Sequence, residues 1–111
     1  MKFEYLDSYK YKIKTAPELI EILGDFPRTK SAILCHGVFD MLHPGHIIHL
    51  QKAKSLADIL IVSITADKFV NKGPGRPVFS EIERARVLSA LKIVDFVLIR
   101  SLLCVIISKK I

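Results

Sequence analysis

Hydrophobic residues fall along this chain in short blocks of two kinds. The first kind is a run of consecutive apolar, β-branched-rich positions, at residues 31–35 (SAILC), 58–65 (DILIVSIT) and 94–99 (VDFVLI). Runs of this length and composition predict strands buried on both faces. The second kind is helical. Thr15-Ala16-Pro17-Glu18 sets a capping residue, a first-turn proline and an acid ahead of a helix-like segment over 18–23, and Gly24 supplies a stop. Pro44 stands where a helix running to about residue 57 begins. Ser80 and Glu83 form a Ser-x-x-Glu capping box at the head of a helix over 80–91. Residues 67–79, with Gly73-Pro74-Gly75 and Pro77, read as a loop.

Strand, helix, strand, helix, strand with apolar strands predicts an α/β fold: a parallel sheet with right-handed β-α-β crossovers, preceded by a short N-terminal helix. The 111 residues make one domain, divided into a helical lead-in at 1–30 and a core at 31–111. Residues 1–14 look like a polar lead-in with little pattern. The tail is awkward. Leu102-Leu103-Cys104-Val105-Ile106-Ile107 follows the third strand with no glycine, proline or asparagine between them. A parallel sheet needs a crossover before another strand, so the sheet reads as incomplete at the C-terminus.

Half the residues are apolar and a quarter are charged, which excludes a disordered chain, a collagen-like repeat and a disulfide scaffold. The longest apolar run, at 102–107, is far short of the roughly 20 residues that span a bilayer. The N-terminus lacks the apolar centre of a secretory signal. A soluble cytoplasmic protein with no membrane partner is expected. Cys35 and Cys104 sit inside apolar runs, outside any CxxC, and read as buried thiols in a reducing compartment. Of the net charge of +6, most lies in the core: residues 1–30 carry six Lys/Arg against five Asp/Glu, and residues 31–111 carry eleven against six. That excess suits an anionic ligand. No basic block is interleaved with aromatics, so nucleic acid is not expected.

Chemistry concentrates where the first strand meets the next helix. In an open α/β sheet, ligands bind beyond the carboxyl ends of the strands. Here the sequence is His36-Gly37-Val38-Phe39-Asp40-Met41-Leu42-His43-Pro44-Gly45-His46, holding three of the chain's four histidines. Pro44 at the first helical position leaves the amides of Gly45, His46 and Ile47 without intrahelical partners, which predicts an anion-binding helix start. His43 and His46 can lie over one helix end, and His46 falls in line with Leu50, Ala53 and Ala57 on the stripe facing the sheet. The alternatives are satisfied structural histidines, or a zinc site from His36, His43, His46 and His49. The latter lacks the acid and the third ligand of familiar zinc helices, and no direct metal ligation is expected. His36 touches ligand or fills the turn, and His49 reads as solvated. Arg84 lies on the inner side of its helix and needs an anion: either Asp67, at the end of the second strand, or a phosphate. Lys72 and Arg76 flank the Gly-Pro-Gly turn as a basic loop suited to a phosphate.

The stretch from Gly37 to His46 resembles the GxFDxxHxGH signature of the cytidylyltransferase-like nucleotidyltransferases, and the likeness covers about residues 30–99. The segment 71–77 followed by Glu83-Arg84-Ala85 looks most like the sugar-phosphate branch, which includes the heptose 1-phosphate adenylyltransferase domain found fused to a sugar kinase, and glycerol-3-phosphate cytidylyltransferase. The resemblance implies a Rossmann-like fold, ATP or CTP with Mg²⁺ as co-substrate, and release of pyrophosphate. By it, His43 and His46 are the catalytic pair contacting nucleotide phosphates. Gly37, Val38, Phe39, Asp40 and Gly45 belong to the nucleotide-binding turn, with Asp40 orienting it or merely capping. Lys52 sits where relatives place a phosphate-binding lysine, with Lys54 as the other possibility and a solvated face as the alternative. Asp67, Lys72, Arg76 and Arg84 complete the phosphate and substrate set.

The expected reaction is nucleotidyl transfer from an NTP to a phosphorylated sugar or polyol. The alternatives are a catalytically incomplete nucleotide-binding fragment, since no triphosphate-binding signature follows the third strand, or a cytidylyltransferase acting on glycerol-3-phosphate or an amino-alcohol phosphate. A homodimer fits uncovered apolar edges and the habits of relatives.

Overall fold

The computed structural model describes residues 8–25, 28–70, 73–75 and 77–99. Within them lie helix α1 (Ala16–Leu23), strand β1 (Ala32–Gly37), helix α2 (Pro44–Ser55), strand β2 (Ile59–Ile64), helix α3 (Glu81–Ser89) and strand β3 (Phe96–Ile99). The strands form one parallel sheet in the order β1-β2-β3. The expected α/β architecture is present. The apolar tail at 102–107 and Cys104 lie outside the described residues.

The central strand explains the layering. Successive side chains of a strand point to opposite faces. Leu60, Val62 and Ile64 of β2 join one core with Leu50 and Ala53 of α2 and Ala85 and Leu88 of α3. Ile61 joins the other core with Ala16 and Leu19 of α1, Ala32 and Leu98. Helices cover both faces, so β2 is apolar at nearly every position. Cys35 lies in the first core as a free thiol, and burial pushes its pKa up.

Both predicted N-caps are made. Thr15 Oγ1 accepts from the Glu18 amide and Glu18 Oε1 accepts from the Thr15 amide. Ser80 and Glu83 exchange the same two bonds. Gly24 ends α1 at φ +75°, a conformation that glycine adopts without a Cβ penalty.

Three boundaries differ from expectation. β1 runs two residues further, through His36 and Gly37, because its ladder with β2 continues and the Thr65 amide still reaches Gly37 O at 3.1 Å. β3 begins at Phe96 rather than 94. Asp95 instead holds the start of β2, its carboxylate accepting from the Leu60 amide at 2.8 Å and from Lys54 Nζ at 2.7 Å. The lead-in is structured over its second half. A 3-10 turn at Lys10–Lys12 delivers Ile13 to the outer edge of β3, where it bridges to Val97 in parallel, and the Lys14 amide donates to Val97 O. Lys12 Nζ donates to Leu91 O and Val94 O beyond the end of α3, at 3.2 and 2.8 Å.

Two expectations follow. Lys12→Met removes two charge-assisted hydrogen bonds across the fold and should lower unfolding free energy by about 1–3 kcal/mol, read as a lower urea midpoint at unchanged slope. The second concerns Asp58, whose carboxyl is held below its ordinary range, first by the Ser31 amide and then by the Ser31 hydroxyl. A lowered folded pKa stabilises the protein above the ordinary carboxyl value, and that contribution is lost as pH falls through the folded value. Asp58→Asn should therefore flatten the acid limb of stability against pH while leaving its shape near neutrality.

Candidate functional site

β1 ends at Gly37 and the chain turns sharply into α2. Phe39 takes φ +50° in this turn, a left-handed conformation uncommon for a bulky residue. Its ring is buried in the core beneath α2. Gly37 makes room for it: a Cβ there would lie 2.9 Å from Phe39 Cε2.

The start of α2 is capped by the motif histidines themselves. His43 is the N-cap, and its Nδ1 accepts from the Gly45 amide at 3.1 Å. His46 Nδ1 accepts from the His43 amide at 3.2 Å. The two rings stack with centroids 3.9 Å apart, and Phe39 meets His46 edge-on at 5.3 Å. A nitrogen that accepts from a backbone amide carries no proton, so these partners assign each neutral ring the Nε2–H tautomer. Gly45 lets the His43 ring fold over the helix, since a Cβ there would lie 2.8 Å from His43 Cε1.

This capping corrects the expected anion site of open amides. The Gly45 amide is taken by His43, while the His46 and Ile47 amides donate to His43 O at 2.9 and 3.3 Å. The donors that the histidine pair offers are on the imidazoles rather than the backbone.

A concavity of about 500 Å³ opens at this carboxyl edge of the sheet. All four histidines line it, together with the turn from Gly37 to Met41. It brings together His43, His46, Gly37, Val38, Phe39 and Asp40 from the expected set. His49 lies at the rim, exposed to solvent as expected. His36 joins them too, with Nδ1 2.9 Å from Ser63 Oγ and Nε2 3.3 Å from Thr65 Oγ1. Among the described residues no three His, Cys, Asp or Glu side chains are grouped to hold a metal ion.

Asp40 orients the turn by holding a second segment against it. Its buried carboxylate accepts from the Val78 and Phe79 amides at 2.8 and 2.9 Å. Arg84 is 1% exposed. It donates from Nε to Phe79 O, from Nη1 to Val38 O and Thr65 O, and from Nη2 to Asp67 Oδ1, all within 3.0 Å. Of the two anions expected for Arg84 the structure supplies Asp67, and the enclosed guanidinium with these partners braces the walls of the site. Asp67 opens a 3-10 turn, Asp67–Phe69, and is tied to α3 through both Arg84 and the Glu81 carboxylate, outside the concavity's lining.

Lys52 is not brought to the site. It is exposed in the last turn of α2, eight residues past Pro44 and so roughly 12 Å along the axis at 1.5 Å per residue. Lys54, the other possibility, pairs with Asp95 at the opposite end of the sheet. Lys72 and Arg76 lie outside the described residues.

Known proteins resemble this chain in sequence and fold. Residues 34–106 fit the cytidylyltransferase-like family. The bifunctional protein HldE of Campylobacter jejuni (strain RM1221) is 45% identical over 94 residues, which cover 83% of this chain and 20% of that protein. HldE of Syntrophotalea carbinolica is 39% identical over 94 residues, covering 82% and 19%. HldE of Geobacter metallireducens is 41% identical over 102 residues, covering 89% and 21%. The chain thus spans about a fifth of the length of the curated relatives it matches. The crystal structure of the lipopolysaccharide core biosynthesis protein from Thermoplasma volcanium GSS1 superposes with a TM-score of 0.66 at 33% identity, covering 73% of this chain and 70% of that one. Sequence over most of the core and a shared α/β fold therefore place this chain in the cytidylyltransferase-like family.

Proposed function

We propose that this chain carries the nucleotidyltransferase chemistry of an enzyme that moves a nucleotidyl group from ATP or CTP to a phosphorylated sugar or polyol. The stacked His43–His46 pair carries this reading. Family membership and the HldE relatives support it, and among those relatives' class the heptose 1-phosphate adenylyltransferase resemblance favours a sugar phosphate.

In this reading an oxygen of the acceptor phosphate attacks the α-phosphorus of the NTP in line. A bond forms between them, the bond from the α-phosphorus to the bridging oxygen breaks, and pyrophosphate leaves. The attacking group is already an anion, so no strong base is required, and catalysis is positioning plus charge neutralisation. The Nε2–H groups of His43 and His46 supply hydrogen bonds to the phosphate oxygens as charge develops. The turn from Gly37 to Asp40 lies against the nucleotide. Lys72 and Arg76 are proposed to hold acceptor phosphate. Mg²⁺ would enter with the nucleotide as part of the substrate and neutralise charge on its phosphates. No helix among the described residues is long and apolar enough to cross a membrane.

Pyrophosphate release with ATP and CTP in turn, against heptose 1-phosphate and glycerol-3-phosphate, tests the reading directly. His43→Asn or His46→Asn should lower kcat by roughly 100-fold or more with the fold retained by circular dichroism. Unchanged turnover in either variant would remove the histidines from the chemistry. Gly45→Ala should act through the same ring. The added Cβ forces His43 Cε1 aside from 2.8 Å, and a displaced donor should cost on the order of 10- to 100-fold in kcat although no functional group is lost.

A further inference from the structure

Arg84 stands on α3, yet one of its hydrogen bonds ends inside the histidine turn. Its Nη1 donates to Val38 O at 2.9 Å, the carbonyl of the peptide that leads into Phe39. The same nitrogen donates to Thr65 O at 2.8 Å, just past the end of β2. On the other side of Phe39, the Asp40 carboxylate is anchored on the Val78 and Phe79 amides. The residue between these anchors is the only non-glycine among the described residues with a positive φ. Such a conformation persists where its surroundings over-determine it, and these two anchors do so.

The consequence is directional. Held at φ +50°, Phe39 drops its ring over Gly37 and turns an edge toward His46, with centroids 5.3 Å apart at an interplanar angle of 60°. His46 in turn caps the His43 amide and stacks on the His43 ring. We propose that Arg84 and Phe39 are positioning residues for His46: the guanidinium fixes the Val38–Phe39 peptide, and the Phe39 ring sets the imidazole that reaches the substrate. Only the activity arm of this inference rests on the proposed nucleotidyl transfer.

Three variants divide the relay. Gly37→Ala adds one atom that meets the Phe39 ring at Cε2 and Cζ, 2.9 and 3.2 Å away. Gly37 has no positive φ, so alanine fits the backbone and the ring must swing. Phe39→Leu removes the ring edge. Arg84→Lys keeps a cation for Asp67 but cannot join Val38 to Thr65 and Phe79. The primary readout is the imidazole region of a long-range ¹H–¹⁵N spectrum, where four histidines give few signals. In Gly37→Ala the His46 signals should shift while those of His49 stay in place. In turnover, kcat per folded molecule, with the folded fraction fixed by circular dichroism, should fall roughly tenfold while the KM for the nucleotide changes less than about threefold. Arg84→Lys should shift the same His46 signals as Phe39→Leu. Unmoved His46 signals in a folded Gly37→Ala overturn the relay; should that variant unfold, Phe39→Leu decides by the same signals. If the unsubstituted protein released no pyrophosphate with any acceptor, the functional reading would fall, while the His46 signals would still decide the relay.

Discussion

A guanidinium removed from water needs an acceptor for each donor it turns inward, and that requirement at Arg84 organises the carboxyl edge of this sheet. The acceptors come from three places in the chain: the turn after β1, the residues after β2, and the segment that precedes α3. None of these lies within a strand or an α-helix, so regular hydrogen bonding fixes their backbones only in part. One side chain supplies the missing bonds. Asp40 does the reciprocal work as an acceptor, taking two amides of the same pre-helical segment. Together they make a concave edge out of three loops.

Inside that edge, His43 and His46 use one ring nitrogen for the helix and leave the other for the concavity. Each imidazole is anchored through Nδ1 to the first turn of α2, so its orientation is set by helix geometry instead of rotamer preference alone. A helix start ordinarily recruits a small polar cap such as serine or threonine. Here the cap is a ring large enough to reach past the helix end. Asp40, Ser63 and Arg84 form a polar layer behind it, and the described side chains contain no buried polar nitrogen or oxygen atom without a partner.

Much of this was legible in the sequence because it is encoded locally. The strands declare themselves by continuous apolar runs, and the capping boxes of α1 and α3 by residues three apart. The histidine pair is legible from the strand-to-helix junction. What was misread depends on distance or on atoms common to all residues. Lys52 stands away from the histidines because helical rise separates positions that look adjacent on a line. Arg84 was placed on the inner face correctly, but three of its four bonds end on backbone carbonyls, which leave no mark in the sequence. The open amides were expected from Pro44, yet an imidazole at the N-cap satisfies one of them and tightens the turn for the next. The lead-in looked patternless because Lys12 and Ile13 find their partners some eighty residues away, at Val94 and Val97.

That last contact gives the sheet a polarity. Ile13 and Lys14 occupy the outer side of β3, whereas the outer side of β1 has no strand partner among the described residues. Exposed strand edges are templates for further pairing, so one flank of the sheet is stoppered and the other is receptive. The receptive flank, β1, leads directly into the turn that holds the histidines.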